Sequence, residues 1–180
     1  RLLAELGAFV IDADKVGHEI YLPGKEAWKQ ITAAFGQDIL ADDQTIERKK
    51  LGAIVFGSDE ARKQLNAIVH PLMFKDIEQR IQAKRAEGFT KPIVVEAAIL
   101  IEANWTPLAD EVWLVETHQE AVIDRVAEQR GMPAKDTEAR IASQLSNEER
   151  RKHAHLVIHN DGSREDLKQH VSQAWEQLSA

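Results

Sequence analysis

Short apolar runs that alternate with helical patterns constrain the fold of this chain more than any other feature. They cover residues 8–11, 92–96, 111–115 and 156–158. Continuous apolar runs of this length are typical of parallel strands that are buried on both faces. Because parallel strands need long crossover connections, usually helices, we predict a three-layer α/β fold, a parallel sheet with helices on both faces.

The segments between these runs have helical periodicity, with Gly and Pro at their ends. Pro71 is expected to begin a new helix rather than continue the one before it. The block 25–88 is too long for a simple crossover, so we predict a helical subdomain there, with a lid over a bound ligand as one use. The predicted helices cover residues 1–6, 15–21, 25–35, 51–56, 59–69, 71–87, 119–129, 134–152 and 163–178.

Composition narrows the classes of function. A net charge of −7 argues against nonspecific nucleic-acid binding, which relies on clustered Lys and Arg. No apolar run approaches the roughly 18 residues of a membrane helix, so no membrane partner is expected. The absence of cysteine fits a reducing compartment, with cytoplasm as the default. An anionic substrate would need a local cationic pocket. The candidate residues for it are Arg48, Lys49, Lys50, Arg125, Arg130 and Arg140. The alternative is that these residues lie on solvated helix faces.

The first apolar run ends in two carboxylates, Asp12 and Asp14. If both residues lay in the strand, they would project from one face at its carboxyl end, where open α/β sheets place ligands. That position suits a catalytic base. An Asp-rich turn that caps the next helix is the equally weighted alternative.

Motifs in order along nearly the whole chain resemble the dephospho-CoA kinase family, P-loop kinases that phosphorylate the ribose 3′-hydroxyl of dephospho-CoA with ATP. Residues 96–105 look closer to the kinase domain of bifunctional CoA synthase. The motifs are residues 6–8 and 10–14, Pro23-Gly24, Phe35-Gly36, Arg48 with Leu51, Val55-Phe56, His70-Pro71, Arg125, Arg140 with Gln144, and Asn160.

The resemblance implies a P-loop NTPase fold of the nucleotide-kinase type. It implies one kinase domain over residues 1–180, a helical substrate-binding subdomain at 25–88 and a lid at 119–152. The implied partners are dephospho-CoA and ATP, with Mg²⁺ bridging the ATP phosphates and no protein metal site. The alternatives are an inactive nucleotide- or CoA-binding relative and another small-molecule P-loop kinase.

The resemblance also implies residue roles, each beside a structural alternative. Asp14 matches the general base, and Asp12 orients the hydroxyl, reaches Mg²⁺ through water or makes a structural hydrogen bond. Arg125 matches a lid arginine that contacts the transferred phosphoryl group. The alternative is an exposed helix arginine that pairs with Asp124 or Glu128. The other implied contacts are His18, Tyr21, His70, Pro71 and Glu102 for the acceptor, and Arg140, Gln144 and Asn160 for ATP. The alternatives to these ligand contacts are structural roles: helix capping, packing, turn formation or a place on a solvated helix face.

The chain departs from the family pattern in three places. It contains no Gly-x-x-x-x-Gly-Lys-Ser/Thr loop, so we expect roughly 20 preceding residues to carry it and the 180 residues alone to be inactive. Gln129 replaces a second lid arginine, with Arg130 one residue on. His155 replaces an aspartate, with an expected effect on a structural bond. His153, His155 and His159 would share one face of a continuous strand, which suggests a metal site. We favour the alternative that they are solvated or capping histidines.

Overall fold

A computed structural model describes residues 1–142 and 144–178, without the side chain of Arg130. The chain divides into two compact units, Phe9–Ala98 and a second one formed by Arg1–Ala8 with Ile99–Ala180. In chain order the elements are α1 (Leu2–Glu5), β1 (Phe9–Asp12), α2 (Ala13–Ile20), α3 (Glu26–Phe35), α4 (Arg48–Phe56), α5 (Asp59–Ala86), β2 (Ile93–Glu96), β3 (Trp113–Glu116), α6 (Gln119–Arg130), α7 (Ala134–Ala142), α8 (Asn147–Arg151), β4 (Leu156–His159) and α9 (Arg164–Leu178). Short 3₁₀ turns lie at Gln37–Ile39 and Thr106–Leu108.

The strands pair in parallel, as the apolar runs predict. In the unit Phe9–Ala98, β1 pairs with β2, and Asp12 lies opposite Glu96. In the second unit, β3 pairs with β4, and Glu116 lies opposite His159. The α/β fold with parallel strands is therefore confirmed, and within the described residues its strands form two hydrogen-bonded pairs.

Helices α2 and α5 pack closely in the unit Phe9–Ala98. A Cβ built on Gly17 of α2 would lie 3.3 Å from Met73 Cε of α5, so the small residue permits a close approach of the two helices. Val16 and Ile77 are fully buried on the two helices. The same pair is tied at the surface, where the Arg80 guanidinium bridges Glu19 of α2 and Asp76. The position of α2 is thus fixed by both packing and charge.

Helix α5 corrects the prediction of a new helix at Pro71. It runs without a break for 28 residues, with Pro71 inside it. Proline removes one helical N–H donor and usually breaks a helix. Here Val69, Met73 and Ile77 are buried at spacings of four residues across the proline. This apolar face stabilises the helix on both sides of the missing donor.

The predicted helix 134–152 is also wrong, because α7 ends at Ala142 and α8 begins at Asn147. Ser146 starts α8 as its N-cap, with Oγ accepting a hydrogen bond from the backbone N–H of Glu149 at 3.2 Å. Such a cap satisfies a donor that has no partner inside the helix. The interruption changes the placement of Gln144, which lies beyond α7.

The core of the second unit is formed by residues from several segments. Trp105 is only 1% exposed, and its backbone N–H donates to the carbonyl of Leu100 at 2.8 Å. Val112, Ile158 and Val171 are buried as well. Burial of this aromatic and aliphatic surface supports β3, β4 and α9.

Candidate active site

The two aspartates that follow β1 have different environments. Asp12 is the N-cap of α2: its Oδ1 accepts from the backbone N–H of Lys15 at 3.1 Å, and its Oδ2 lies 3.7 Å from Lys15 Nζ. Asp14 lies in the first turn of α2, not in the strand. The two side chains therefore do not share a strand face as predicted, because the strand ends at Asp12. The capping alternative holds for Asp12.

Asp14 presents an exposed carboxylate. Within residues 1–142 and 144–178, that carboxylate has no hydrogen bond or ion pair. The helix around it is well anchored, since Ala13, Val16 and Ile20 are buried. A fixed backbone with an uncommitted carboxylate is what a general base for a hydroxyl needs.

His18 and Tyr21 lie one and two turns beyond Asp14 along α2 and its C-cap. Arg48 Nη1 donates to His18 Nε2 at 2.6 Å. Because arginine has no acceptor, the His18 ring in this arrangement is neutral and accepts at Nε2. Burial raises the pKa of Tyr21, and the charge of Arg48 opposes that rise. The structure therefore brings His18, Tyr21 and Arg48 together.

His70 and Pro71 lie on α5. His70 precedes Met73 by three residues, a spacing that puts the two on neighbouring parts of one helix face, and Met73 faces Gly17 of α2. Burial lowers the pKa of His70, which favours its neutral form. Pro71 is exposed. The acceptor roles of both residues stay predictions.

In the second unit, the loop after β4 carries Asn160. Its backbone N–H donates to the Glu116 carbonyl at 2.8 Å, and its carbonyl accepts from Thr117 Oγ1 at 3.2 Å and from Arg125 at 3.4 Å. Among the described residues, its side-chain amide has no hydrogen bond. The structure therefore brings Arg125 and Asn160 together and leaves the amide available to a ligand.

Glu102 and Gln144 meet at Arg150. Glu102 Oε1 accepts from Arg150 Nη2 at 2.6 Å and Nε at 3.2 Å, and Gln144 Oε1 accepts from Nη2 at 3.1 Å. Burial alone would raise the pKa of Glu102, but hydrogen bonds from Arg150 and backbone donors hold it below its ordinary value. This network ties together segments of the second unit.

Arg140 lies exposed in the last turn of α7. The prediction that Arg140 and Gln144 share one helix is wrong, because α7 ends between them. The backbone of Arg130 ends α6, but its side chain lies outside the described residues. Contacts of Arg140 and Gln144 with ATP stay predictions.

Sequence reasoning missed Glu116, a buried acid at the carboxyl end of β3. Its side chain is 3% exposed and binds Arg151 through two hydrogen bonds of 2.8 and 2.9 Å. His159 Nδ1 lies 3.2 Å from Glu116 Oε1. A carboxylate at a strand's carboxyl end was the signal that could have identified it. It supports the loop that carries Asn160.

The three histidines of the metal alternative have separate environments. His155 Nδ1 accepts from the backbone N–H of Val112 at 3.0 Å, while His159 faces Glu116. Among the described residues, no group of three or more His, Cys, Asp or Glu could hold a metal ion. None of the helices described is long and apolar enough to cross a membrane.

A family model described as dephospho-CoA kinase matches residues 1–166. The chain belongs to the dephospho-CoA kinase family. Dephospho-CoA kinase of Geobacter sulfurreducens is 40% identical over 97% of this chain and 88% of the relative. Dephospho-CoA kinase of Dehalococcoides mccartyi is 40% identical over 93% of this chain and 84% of the relative.

Solved structures agree with this family membership. Dephospho-CoA kinase from Campylobacter jejuni is 29% identical with a TM-score of 0.71, over 98% of this chain and 87% of that one. The protein TT1252 from Thermus thermophilus is 27% identical with a TM-score of 0.77, over 99% and 89%. The nucleotide-kinase-like α/β fold implied by the sequence motifs is therefore confirmed.

Proposed function

We propose that this chain performs the reaction of its family, the ATP-dependent phosphorylation of the ribose 3′-hydroxyl of dephospho-CoA, which gives CoA and ADP. The family match and the identity to curated kinases support this activity. Within the site, the exposed, uncommitted carboxylate of Asp14 on the anchored helix α2 is the observation that carries the proposed mechanism.

Asp14 acts as the general base. As the 3′-oxygen forms its bond to the γ-phosphorus of ATP, the carboxylate accepts the hydroxyl proton, and the bond between the γ-phosphorus and the oxygen that bridges it to the β-phosphate breaks. ADP leaves with that bridging oxygen. Asp12 contributes by capping α2 and fixing the start of the helix, since both of its oxygens face Lys15.

Arg125 and Asn160 form the nucleotide-binding part of the proposal. The guanidinium of Arg125 supplies charge for the phosphoryl oxygens, and the amide of Asn160 can exchange hydrogen bonds with the adenine edge. The Asn160 carbonyl is already held by Thr117 and Arg125, so the loop is positioned before a ligand binds. Arg140 and Gln144 are proposed as further phosphate contacts.

Mg²⁺ belongs to the proposal as a companion of ATP. It is usually held by one or two carboxylates together with substrate phosphates and water rather than by a protein cage. When bound, the ion neutralises charge on the phosphates. Cytoplasmic localisation is proposed from the absence of cysteine.

The test is a product assay on the protein as its gene encodes it. The protein is incubated with γ-labelled ATP, Mg²⁺ and dephospho-CoA, and the product is identified by mass spectrometry and phosphorus NMR. We expect label in CoA, as a 3′-phosphomonoester. Binding of dephospho-CoA by a folded protein without any label transfer would contradict the proposal and leave a binding role.

A further inference from the structure

Arg48 begins α4 and carries a charge that the fold does not neutralise. Its Nη1 donates to His18 Nε2, and within the described residues it has no carboxylate within 4.0 Å. A guanidinium has five N–H donors, so one bond to a neutral ring leaves several donors available. The group is exposed and therefore accessible to a ligand.

Other arginines of the same unit are satisfied differently. Arg62 pairs with Asp59 at 2.8 Å, and Arg80 bridges Glu19 and Asp76. Arg85 donates to two backbone carbonyls in the segment that follows α5. Unlike Arg62 and Arg80, Arg48 has no carboxylate partner among the described residues, and its neighbour His18 orients it. Such a group has its charge available for an anion.

The position of Arg48 relative to Asp14 narrows the class of anion. His18 follows Asp14 by four residues on α2, so the two residues lie on one helix face about one turn, ~5.4 Å, apart. Arg48 reaches this face through its bond to His18. In dephospho-CoA, the 3′-hydroxyl and the 5′-diphosphate belong to one nucleotide, so a base and an anion-binding group on the same helix face can contact one molecule.

We propose that Arg48, oriented by His18, binds the diphosphate of dephospho-CoA and thereby places the ribose 3′-hydroxyl at Asp14. This inference rests on the proposed function and adds to it a binding residue for the acceptor. His18 is a positioning residue, because it holds the guanidinium at Nε2 and leaves the other donors for the phosphate oxygens. Lys49, in the same helical turn, adds positive charge nearby.

The test compares Arg48→Met with Arg62→Met, a matched loss of one arginine at a surface pair. In the encoded protein we expect Arg48→Met to raise the KM for dephospho-CoA about 10- to 100-fold, as for loss of a charge-assisted hydrogen bond, and to leave the KM for ATP unchanged. Arg48→Lys should recover part of the loss. Arg62→Met should match the parent. An unchanged KM for dephospho-CoA in a folded Arg48→Met protein overturns the proposal.

Binding measurements on the encoded protein distinguish a contact to the diphosphate from a contact to the nucleoside. Calorimetric titration with dephospho-CoA should show about 10-fold or greater weakening in Arg48→Met, while titration with adenosine should give equal affinity in both proteins. His18→Phe should weaken dephospho-CoA binding less than Arg48→Met and should keep its salt dependence, because the charge of Arg48 remains, whereas Arg48→Met should reduce that dependence. Equal weakening for adenosine would contradict a diphosphate contact.

The outcomes separate this inference from the proposed function. If the parent protein transfers phosphate but Arg48→Met keeps its KM, the Arg48 assignment alone fails. If the parent protein transfers none but its dephospho-CoA affinity depends on Arg48, the kinase activity fails and the binding site stands. Circular dichroism of each variant, with Arg48→Lys as the conservative change, excludes unfolding as the cause.

Discussion

The backbone N–H of Lys15 donates to Asp12 Oδ1 at 3.1 Å, and this bond separates the roles of the two aspartates after β1. Asp12 satisfies one of the donors that every helix leaves unpaired at its start. Asp14, two residues on, has no such commitment among the described residues. Asp12 therefore fixes the start of α2, and the carboxylate of Asp14 is left for the proton transfer that we propose.

Asp12→Ala should lower the free energy of unfolding by about 1 kcal/mol, because it removes the cap of α2. Asp12→Asn should keep most of that stability, since an amide oxygen can accept the same bond. Urea unfolding of the three proteins measures the difference. Equal stability of the alanine variant and the parent would contradict the capping role.

Glu102→Gln should lower the free energy of unfolding at neutral pH, and the loss should shrink in acid. Burial raises the pKa of Glu102, but the hydrogen bonds and charge of Arg150, together with backbone donors, bring the folded-state pKa below its ordinary value of 4.5. The charged form is therefore stabilising above pH 4.5, and this contribution disappears as the pH falls through the folded-state pKa. Urea unfolding over a series from about pH 7 to about pH 3 measures it.

The matched control is Glu165→Gln, at a position that is 84% exposed and only 3.8 Å from Lys168 Nζ. Exposed pairs of this kind contribute little to stability, so its curve should follow that of the parent. If the difference between Glu102→Gln and the parent stayed constant with pH, the ion pair with Arg150 would not be its source.

His155 replaces an aspartate of the family pattern, and in this structure it is bonded to Val112. The ring Nδ1 of His155 accepts from the backbone N–H of Val112, and the backbone N–H of His155 donates to the Val112 carbonyl at 2.8 Å. His155→Leu should therefore cost about 1 kcal/mol of stability. His155→Asp should stay closer to the parent because a carboxylate can accept the same bond. Thermal unfolding of the two variants checks this order; equal losses would rule out the side-chain bond.

Local patterns in the sequence predicted the four strands, most helices and the α/β class, because buried strands and amphipathic helices leave periodic signals. They failed at Pro71, where burial on both sides keeps α5 continuous, and at Ser146, whose cap divides a helical pattern. They also placed Asp14 on the strand face, since periodicity locates an element's end only to within a few residues.

The sequence pattern could not predict contacts between residues that are far apart in the chain. Arg48 and His18 are 30 residues apart, and Glu116 and Arg151 are 35 residues apart. Neither pair has a periodic signal, because each depends on how whole elements pack. The family resemblance supplied candidate roles for Asp14, Arg125 and Asn160, whereas the structure supplied their hydrogen-bond partners.

The role of Asp14 as general base is tested by the kcat for dephospho-CoA phosphorylation by the encoded protein with Asp14→Asn, beside the exposed control Asp42→Asn. We predict a fall in kcat of about 100- to 10,000-fold for Asp14→Asn, with dephospho-CoA affinity largely retained, because only proton acceptance is removed. Asp42→Asn should match the parent. A folded Asp14→Asn protein with parental kcat would contradict the assignment of Asp14 as the general base.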